Sequence, residues 1–518
     1  MMLSNPTGCG GMGKERWARR CEAQHATRWL ERPPRARHQL RPSVWTWAVA
    51  VVALTLTAGC ASTGTRPDLG EIYAEAAHSQ NEMGNPVILV PGMTGSNLID
   101  RESGLAVWGA YRGGSVDVNT AKGARLVALP MAEGVPLDQL HDRVVPDGVI
   151  DRVRFSLLRL PFSLDAYTDI LRTLRLGGFR DESFGHAAGM VYGKDHFTCF
   201  QFGYDFRRSN AENAARLDDF IREKESYLRE EYRKRGIVRR KPIKFDLVAH
   251  SMGGLLVRYY LRYGRAALPA DGSLPAITWA GAQKVGRVIL VGTPNAGSAE
   301  TLERLTQGIN FTFVAHYPPA VLGTFTSAYE LLPRQRHRAL LDPAAGEKSL
   351  DLLDFAEWER RGWGLADPKQ DEILQKLLPE VSDRTVRRRI ALDHLAKCLR
   401  NARQFQAALD VPATPPSGTQ ISLIAGDAIA TPAVMTIGRH GLPEVQRRAA
   451  GDGVVTRSSA LMDERMGRPA ESRLQSPVAW DTVLFISSGH REMTGKPEFI
   501  DNMLHLLLEA PDKGPREN

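Results

Sequence analysis

One serine stands where its neighbours would make it reactive, in the stretch Phe245-Asp-Leu-Val-Ala-His-Ser251-Met-Gly-Gly254-Leu-Leu-Val-Arg-Tyr-Tyr260. The first half is apolar up to Ala249, with β-branched Val248 and aromatic Phe245, and is expected to form a buried strand. From Leu255 to Tyr263 the apolar spacing is helical and no proline interrupts it. A serine on a sharp turn between a strand and a helix presents its hydroxyl for attack on a carbonyl, provided the residues two positions either side are small. Here they are Ala249 and Gly253. The helix that follows would aim its first N–H groups and its dipole at the place where an oxyanion develops. The same residues also suit a serine that caps a buried helix. The two readings differ in where the hydroxyl points.

A serine hydroxyl is a weak nucleophile at neutral pH. It needs a base within hydrogen-bond reach and a carboxylate that orients the base. On an α/β-hydrolase sheet the partners follow the serine in the order acid, then histidine. Two late apolar runs, 420–425 and 482–487, are expected strands, and His490 lies just past the second. His316, His337, His394 and His440 follow no strand end, and His250 adjoins the serine and would point away from it. Two acids compete on equal terms. Asp427 is nearer the end of its strand; Asp452 sits between Gly451 and Gly453, a tight-turn context. Earlier in the chain, the apolar run 86–90 leads into Pro91-Gly-Met-Thr-Gly-Ser-Asn-Leu98. A Gly-rich turn at a strand's carboxyl end exposes backbone to a ligand. The backbone N–H groups of Met93 and Met252 are therefore the candidate oxyanion donors.

The elements that would position these groups alternate between strand and helix. Further expected strands cover 197–202 and 286–292, and further helices cover 164–176, 210–235, 383–409 and 497–507. On the 210–235 helix, Ala214, Leu217, Phe220, Ile221 and Leu228 share one stripe. This alternation implies an α/β class with a mainly parallel sheet covered by helices on both faces. Residues 85–518 are expected to be one domain of the α/β-hydrolase type. Residues 100–150, without clear periodicity, are expected to be a lid or rim, in which Trp108 either contacts an acyl chain or packs locally. Residues 300–415, without a convincing strand, are expected to be a cap insertion.

Apolar residues make up 43% of the chain and charged residues 24%, which is ordinary globular composition. The formal charge of +8 is concentrated at the start: residues 1–59 hold nine Lys/Arg against three Asp/Glu. The high pI is thus a property of the leader and gives no case for nucleic-acid binding by the rest. That leader has arginines, then the apolar run Val44 to Ala58, then Gly59-Cys60. The run is the length of a signal-peptide core and shorter than a membrane span. The segment resembles a bacterial lipoprotein signal, which implies lipidation of Cys60, removal of residues 1–59 and a place in the cell envelope, at the outer membrane surface; residues 60–84 are expected to be a tether with a helical stretch at 69–77. Of five cysteines, Cys199 and Cys398 would remain, to pair or to stay as buried thiols. They make neither a disulfide scaffold nor a metal site.

Six motifs occur in series: Pro86-Val-Ile-Leu-Val-Pro-Gly92, Tyr204-Asp-Phe-Arg-Arg208, Ala249-His-Ser-Met-Gly-Gly254, Gly292-Thr-Pro-Asn-Ala-Gly-Ser298, Tyr329-Glu-Leu-Leu-Pro333 and Gly451-Asp-Gly-Val-Val455. Together they resemble the lecithin:cholesterol acyltransferase family, which includes lysosomal phospholipase A2. The sequence departs from that pattern at Phe206, at Val454 and in lacking a cysteine pair near 108–145. The resemblance implies a nucleophile at Ser251, an acid at Asp452, a base at His490 and oxyanion N–H groups at Met93 and Met252. It also implies a (phospho)lipid ester as substrate, water or an alcohol such as a sterol as acyl acceptor, and no metal or cofactor. A lipase or esterase acting on other esters, and a surface lipoprotein that binds lipid without catalysis, are the alternatives.

Overall fold

Alternation along the strands decides the architecture. The computed structural model describes residues 67–109, 116–150, 153–157, 160–164, 167–187, 195–239, 241–311, 315–465 and 473–511. Residues 1–66, with the expected signal segment and Cys60, lie outside them.

Six strands form the central sheet: β1 (Val87–Val90), β2 (Cys199–Gln201), β3 (Phe245–His250), β4 (Val285–Val291), β5 (Gln420–Gly426) and β6 (Thr482–Ile486). Their order is β6-β5-β4-β3-β1-β2, and every neighbouring pair is parallel. A parallel sheet needs cover on both faces, so its strands are mostly apolar. Val87, Leu89, Val248, Ile289, Val291 and Ile424 face Ile170, Leu174, Phe499 and Met503, from the helices Thr168–Leu176 and Pro497–Leu504. Ile88, Val90, Leu247, Ala249, Leu290 and Leu423 face the other way. They meet the helices α1 (Asn210–Arg235), α2 (Met252–Tyr263) and α3 (Arg384–Asp410). This is the α/β-hydrolase arrangement expected from the alternating pattern.

The 100–150 stretch is more than a rim. Ser96–Asp100, Ala106–Trp108 and Val144–Val149 form a three-stranded antiparallel sheet. Val107, Val118, Ala124, Leu126 and Val127 join the main core. Arg207 braces this segment. Its guanidinium, 1% exposed, bridges Asp205 and Asp142, each at 2.8 Å. It also donates to the carbonyls of Leu126, Val127 and Ala128. Those carbonyls end the short helix Ala121–Val127, where backbone acceptors lack intrahelical partners.

Residues 300–415 contain strands that no sequence period announced: Ile309–Phe311 with Ala315–Tyr317, and Leu340–Asp342 with Lys348–Ser349. Each is two or three residues long, too short to show a period of two. The insertion is anchored at both ends of α3. Asp383 caps its start through the N–H groups of Thr385 and Val386. At its end, Arg258 and Tyr263 of α2 donate to the carbonyls of Leu409 and Ala408. Glu330 adds a third anchor, taking hydrogen bonds from Ser209, from Asn210 at the first turn of α1, and from Asn401 of α3.

The helical stretch expected at 69–77 is present and runs further, as Leu69–Ile72 and Ala74–Met83. Leu69 and Tyr73 pack on Leu504, and Tyr73 donates to Asp501. Burying a leucine and an aromatic ring ties this segment to the C-terminal helix. Cys199 and Cys398 are separate buried thiols. Among the described residues no helix is long and apolar enough to cross a membrane.

Candidate active site

The turn after β3 is strained, as a nucleophile elbow requires. Ser251 has φ 53° and ψ −125°, a region that a non-glycine residue enters at a cost of order 1–3 kcal/mol. Tight neighbours hold it there. A Cβ on Gly253 would lie 2.4 Å from the Pro91 carbonyl oxygen, and one on Gly254 would lie 2.0 Å from Thr293 Oγ1. The Ser251 N–H is bonded to the Val291 carbonyl at the end of β4. Ser251 occupies the N-cap position of α2 yet makes no side-chain cap bond. Its hydroxyl instead meets His490 Nε2 at 3.0 Å.

His490 follows β6, four residues past Ile486. Its Nδ1 lies 2.7 Å from Asp452 Oδ2, and its backbone N–H donates to the Asp452 carbonyl at 2.8 Å. The carboxylate itself is fixed by two more donors, the N–H groups of Val454 and Val455 on Oδ1 at 3.0 and 2.7 Å. Asp452 is 3% exposed and His490 8%, so water competes little for these bonds. An imidazole with a carboxylate on Nδ1 and a hydroxyl on Nε2 is oriented to remove the hydroxyl's proton.

Asp452 reaches this position through a hairpin that sequence reasoning missed. After β5 the chain runs out along Ile429–Ile437 and returns along Pro443–Gly451. Ile429 then pairs with Gly451 and bridges to Asp452. The return brings Asp452 back to the end of β5, where a Cβ on Gly426 would lie 2.8 Å from Asp452 Cβ. The competing acid, Asp427, is ion-paired with Arg457. Of the other histidines, His337 pairs with Glu464, His394 bonds the Thr324 carbonyl and His316 meets Asn310.

The two candidate oxyanion residues flank the serine. Met252 opens α2 directly after Ser251. Met93 follows Gly92, where an added Cβ would come 2.7 Å from Ser251 Cβ. The 91–95 loop is held from behind by Tyr204, whose hydroxyl donates to the Pro91 carbonyl. It is held from the side by Trp108, whose indole N–H donates to Thr94. The Trp108 ring also lies against Phe206 and Tyr317, at centroid distances of 5.6 and 5.2 Å. Among the described residues no group of three His, Cys, Asp or Glu side chains is arranged to hold a metal ion.

With this geometry in place, likeness to known proteins can be weighed. Residues 183–357 match the family described as Lecithin:cholesterol acyltransferase. Over that range the chain is similar to this family. The matched range holds Ser251, whereas Asp452 and His490 fall after it. A curated relative that the chain resembles is "Lecithin-cholesterol acyltransferase-like 4" of Arabidopsis thaliana. It is 30% identical over 188 residues, which are 34% of this chain and 30% of the relative's length. Among solved structures, a chain of the Tle4–Tli4 complex superposes with a TM-score of 0.51 at 17% identity. The match covers 82% of this chain and 98% of that one, a likeness of fold.

Proposed function

We propose that this chain is a serine-dependent lipid acyl hydrolase or O-acyltransferase of the lecithin:cholesterol acyltransferase type. The observation that carries the reading is the chain of contacts from Ser251 Oγ to His490 Nε2 at 3.0 Å and from His490 Nδ1 to Asp452 at 2.7 Å. In this reading Ser251 Oγ attacks the carbonyl carbon of a (phospho)lipid ester, and His490 Nε2 takes the hydroxyl proton. The carbonyl electrons move onto oxygen, and the N–H groups of Met93 and Met252 stabilise that oxyanion, each worth on the order of 3 kcal/mol. When the tetrahedral adduct collapses, His490 returns its proton to the departing alcohol. The resulting acyl-serine is cleaved by water or by an acceptor alcohol such as a sterol, with the same proton transfers in reverse. Asp452 holds the imidazole in orientation throughout. Trp108, beside the 91–95 loop, is the proposed contact to the acyl chain.

The leader supports a location. Lipidation at Cys60 would hold the enzyme at the outer membrane surface, next to lipid, without a spanning helix.

The test is turnover of a p-nitrophenyl acyl ester by the wild-type protein and by Ser251→Ala, followed by product analysis with a labelled phospholipid, with and without a sterol. Loss of turnover in the variant and release of labelled fatty acid or acyl sterol are expected. Turnover retained by Ser251→Ala contradicts the assignment.

A further inference from the structure

A second hydrogen-bond chain runs beneath the site without touching the Ser251 hydroxyl. The Gly92 N–H donates to the Tyr167 oxygen at 2.9 Å. Tyr167 Oη lies 3.2 Å from His250 Nδ1, and His250 Nε2 lies 3.3 Å from the His490 carbonyl oxygen. The direction of every link is forced by donor and acceptor counting. A carbonyl only accepts, so His250 Nε2 carries the proton. The neutral imidazole then accepts at Nδ1, so the Tyr167 hydroxyl donates to it. The Tyr167 oxygen is left to accept from Gly92. One arrangement satisfies all four residues.

Both side chains in this chain are buried, and both keep the protonation it needs. Burial, together with the positive potential of His490, holds the His250 pKa down at about 3. Burial pushes Tyr167 up to about 12. The rings are in contact as well: Tyr167 meets His250 edge to face with centroids 5.5 Å apart, and His250 lies 4.9 Å from His490. The 91–95 loop has no slack over this support, since a Cβ on Gly95 would fall 2.4 Å from the Tyr167 hydroxyl.

We propose that Tyr167 and His250 are positioning residues that hold the oxyanion loop and the base loop in register through one proton-ordered chain. The proposal rests on the serine acyl-transfer reading above. At one end the chain fixes Gly92, next to the Met93 N–H. At the other it holds the backbone carbonyl of His490, whose N–H and ring Nδ1 are engaged by Asp452. A shift of either loop relative to Ser251 misplaces a catalytic group, and misplacement by about 1 Å is enough to lower a rate by about a hundredfold. Because the links are in series, breaking either one releases both loops.

Tests begin with fluorophosphonate labelling of the wild-type protein, which reports the reactive serine by itself. Absence of labelling overturns the underlying reading, and the proposal with it. With labelling in hand, kcat and KM for a p-nitrophenyl acyl ester are measured for Tyr167→Phe, His250→Phe, the double variant and His250→Gln, with thermal unfolding as a folding control. Each single Phe variant is expected to lose about tenfold or more in kcat with KM within about twofold of wild type. The double variant is expected to be no worse than the poorer single one, because the two act as a unit. His250→Gln, which keeps an N–H donor toward the His490 carbonyl, is expected to recover most of the loss. If His250→Phe does not fold, Tyr167→Phe and His250→Gln still decide. Single variants with kcat within about twofold of wild type, or losses that multiply in the double variant, overturn the proposal.

Discussion

Asp427 is ion-paired with Arg457, whose guanidinium also lies over the Phe485 ring, 3.4 Å from its centroid. The acid nearer the strand end is therefore engaged in a surface pair, while Asp452 takes the histidine. The two carboxylates should respond differently to the same change. Asp452→Asn keeps the shape but leaves the imidazole without its orienting charge, and kcat is expected to fall by about four orders of magnitude. Asp427→Asn removes a partly exposed ion pair and is expected to change kcat by less than about threefold. Steady-state turnover of a p-nitrophenyl ester separates them, and the reverse ranking would assign the acid to Asp427.

Gly92 lies tight against the serine. The Cβ of Gly92→Ala would meet Ser251 Cβ at 2.7 Å and the His250 carbonyl at 3.2 Å. Neither neighbour can yield without moving the elbow, so the loop that carries the Met93 N–H must shift. A kcat loss of about a hundredfold, with a much smaller change in KM, is expected from kinetics on the same ester.

Arg207 carries the anchoring of the 116–142 segment. Arg207→Met would leave the Asp205 and Asp142 carboxylates without their shared cation in a buried site. Removing one partner of such a network costs about 3–5 kcal/mol. Chemical denaturation should read this loss. Stability unchanged from wild type would mean that the segment is held by its apolar contacts alone.

Glu330 gives the fold a pH dependence of its own. Burial pushes its pKa from 4.5 up to about 7, against the pull of the Ser209, Asn210 and Asn401 donors. Between those values the folded state binds a proton that the unfolded chain releases. The contribution of this group is thus fully present below pH about 4.5 and is lost as pH rises through about 7. The full difference is about 3 kcal/mol. The stability of wild type minus that of Glu330→Gln, followed by denaturation across this range, should therefore fall as pH rises. A difference that rises with pH is the opposite sign and would place the folded pKa below the ordinary value.

The central sheet and the elbow were legible because a strand buried on both faces writes itself as a continuous apolar run. Ser251 and His490 could be located for the same reason: each lies at or just past the end of such a run. Asp452 could not be located that way. The Ile429–Ile437 and Pro443–Gly451 hairpin that returns it to the sheet is mixed in burial and carries exposed Arg447 and Arg448 on its second strand. Its sequence offers no clean alternation, so the acid rested on the Gly451-Asp-Gly-Val-Val455 resemblance. The core contacts of the 100–150 segment were not legible, because they come with one buried arginine, and burial of a charge is set by its partners rather than by its type. The role of His250 was hidden as well. Facing away from the serine, it meets Tyr167 and His490, neither of which is near it in sequence.

The most direct test of the account is covalent labelling with a fluorophosphonate, which reacts with an activated serine and spares an ordinary one. Peptide mapping by mass spectrometry should find one adduct, on Ser251, in the wild-type protein. It should be absent from Ser251→Ala and slow to form in Asp452→Asn. A wild-type protein that stays unlabelled, or an adduct that persists in Ser251→Ala, would contradict the claim that Ser251, His490 and Asp452 form a working acyl-transfer site.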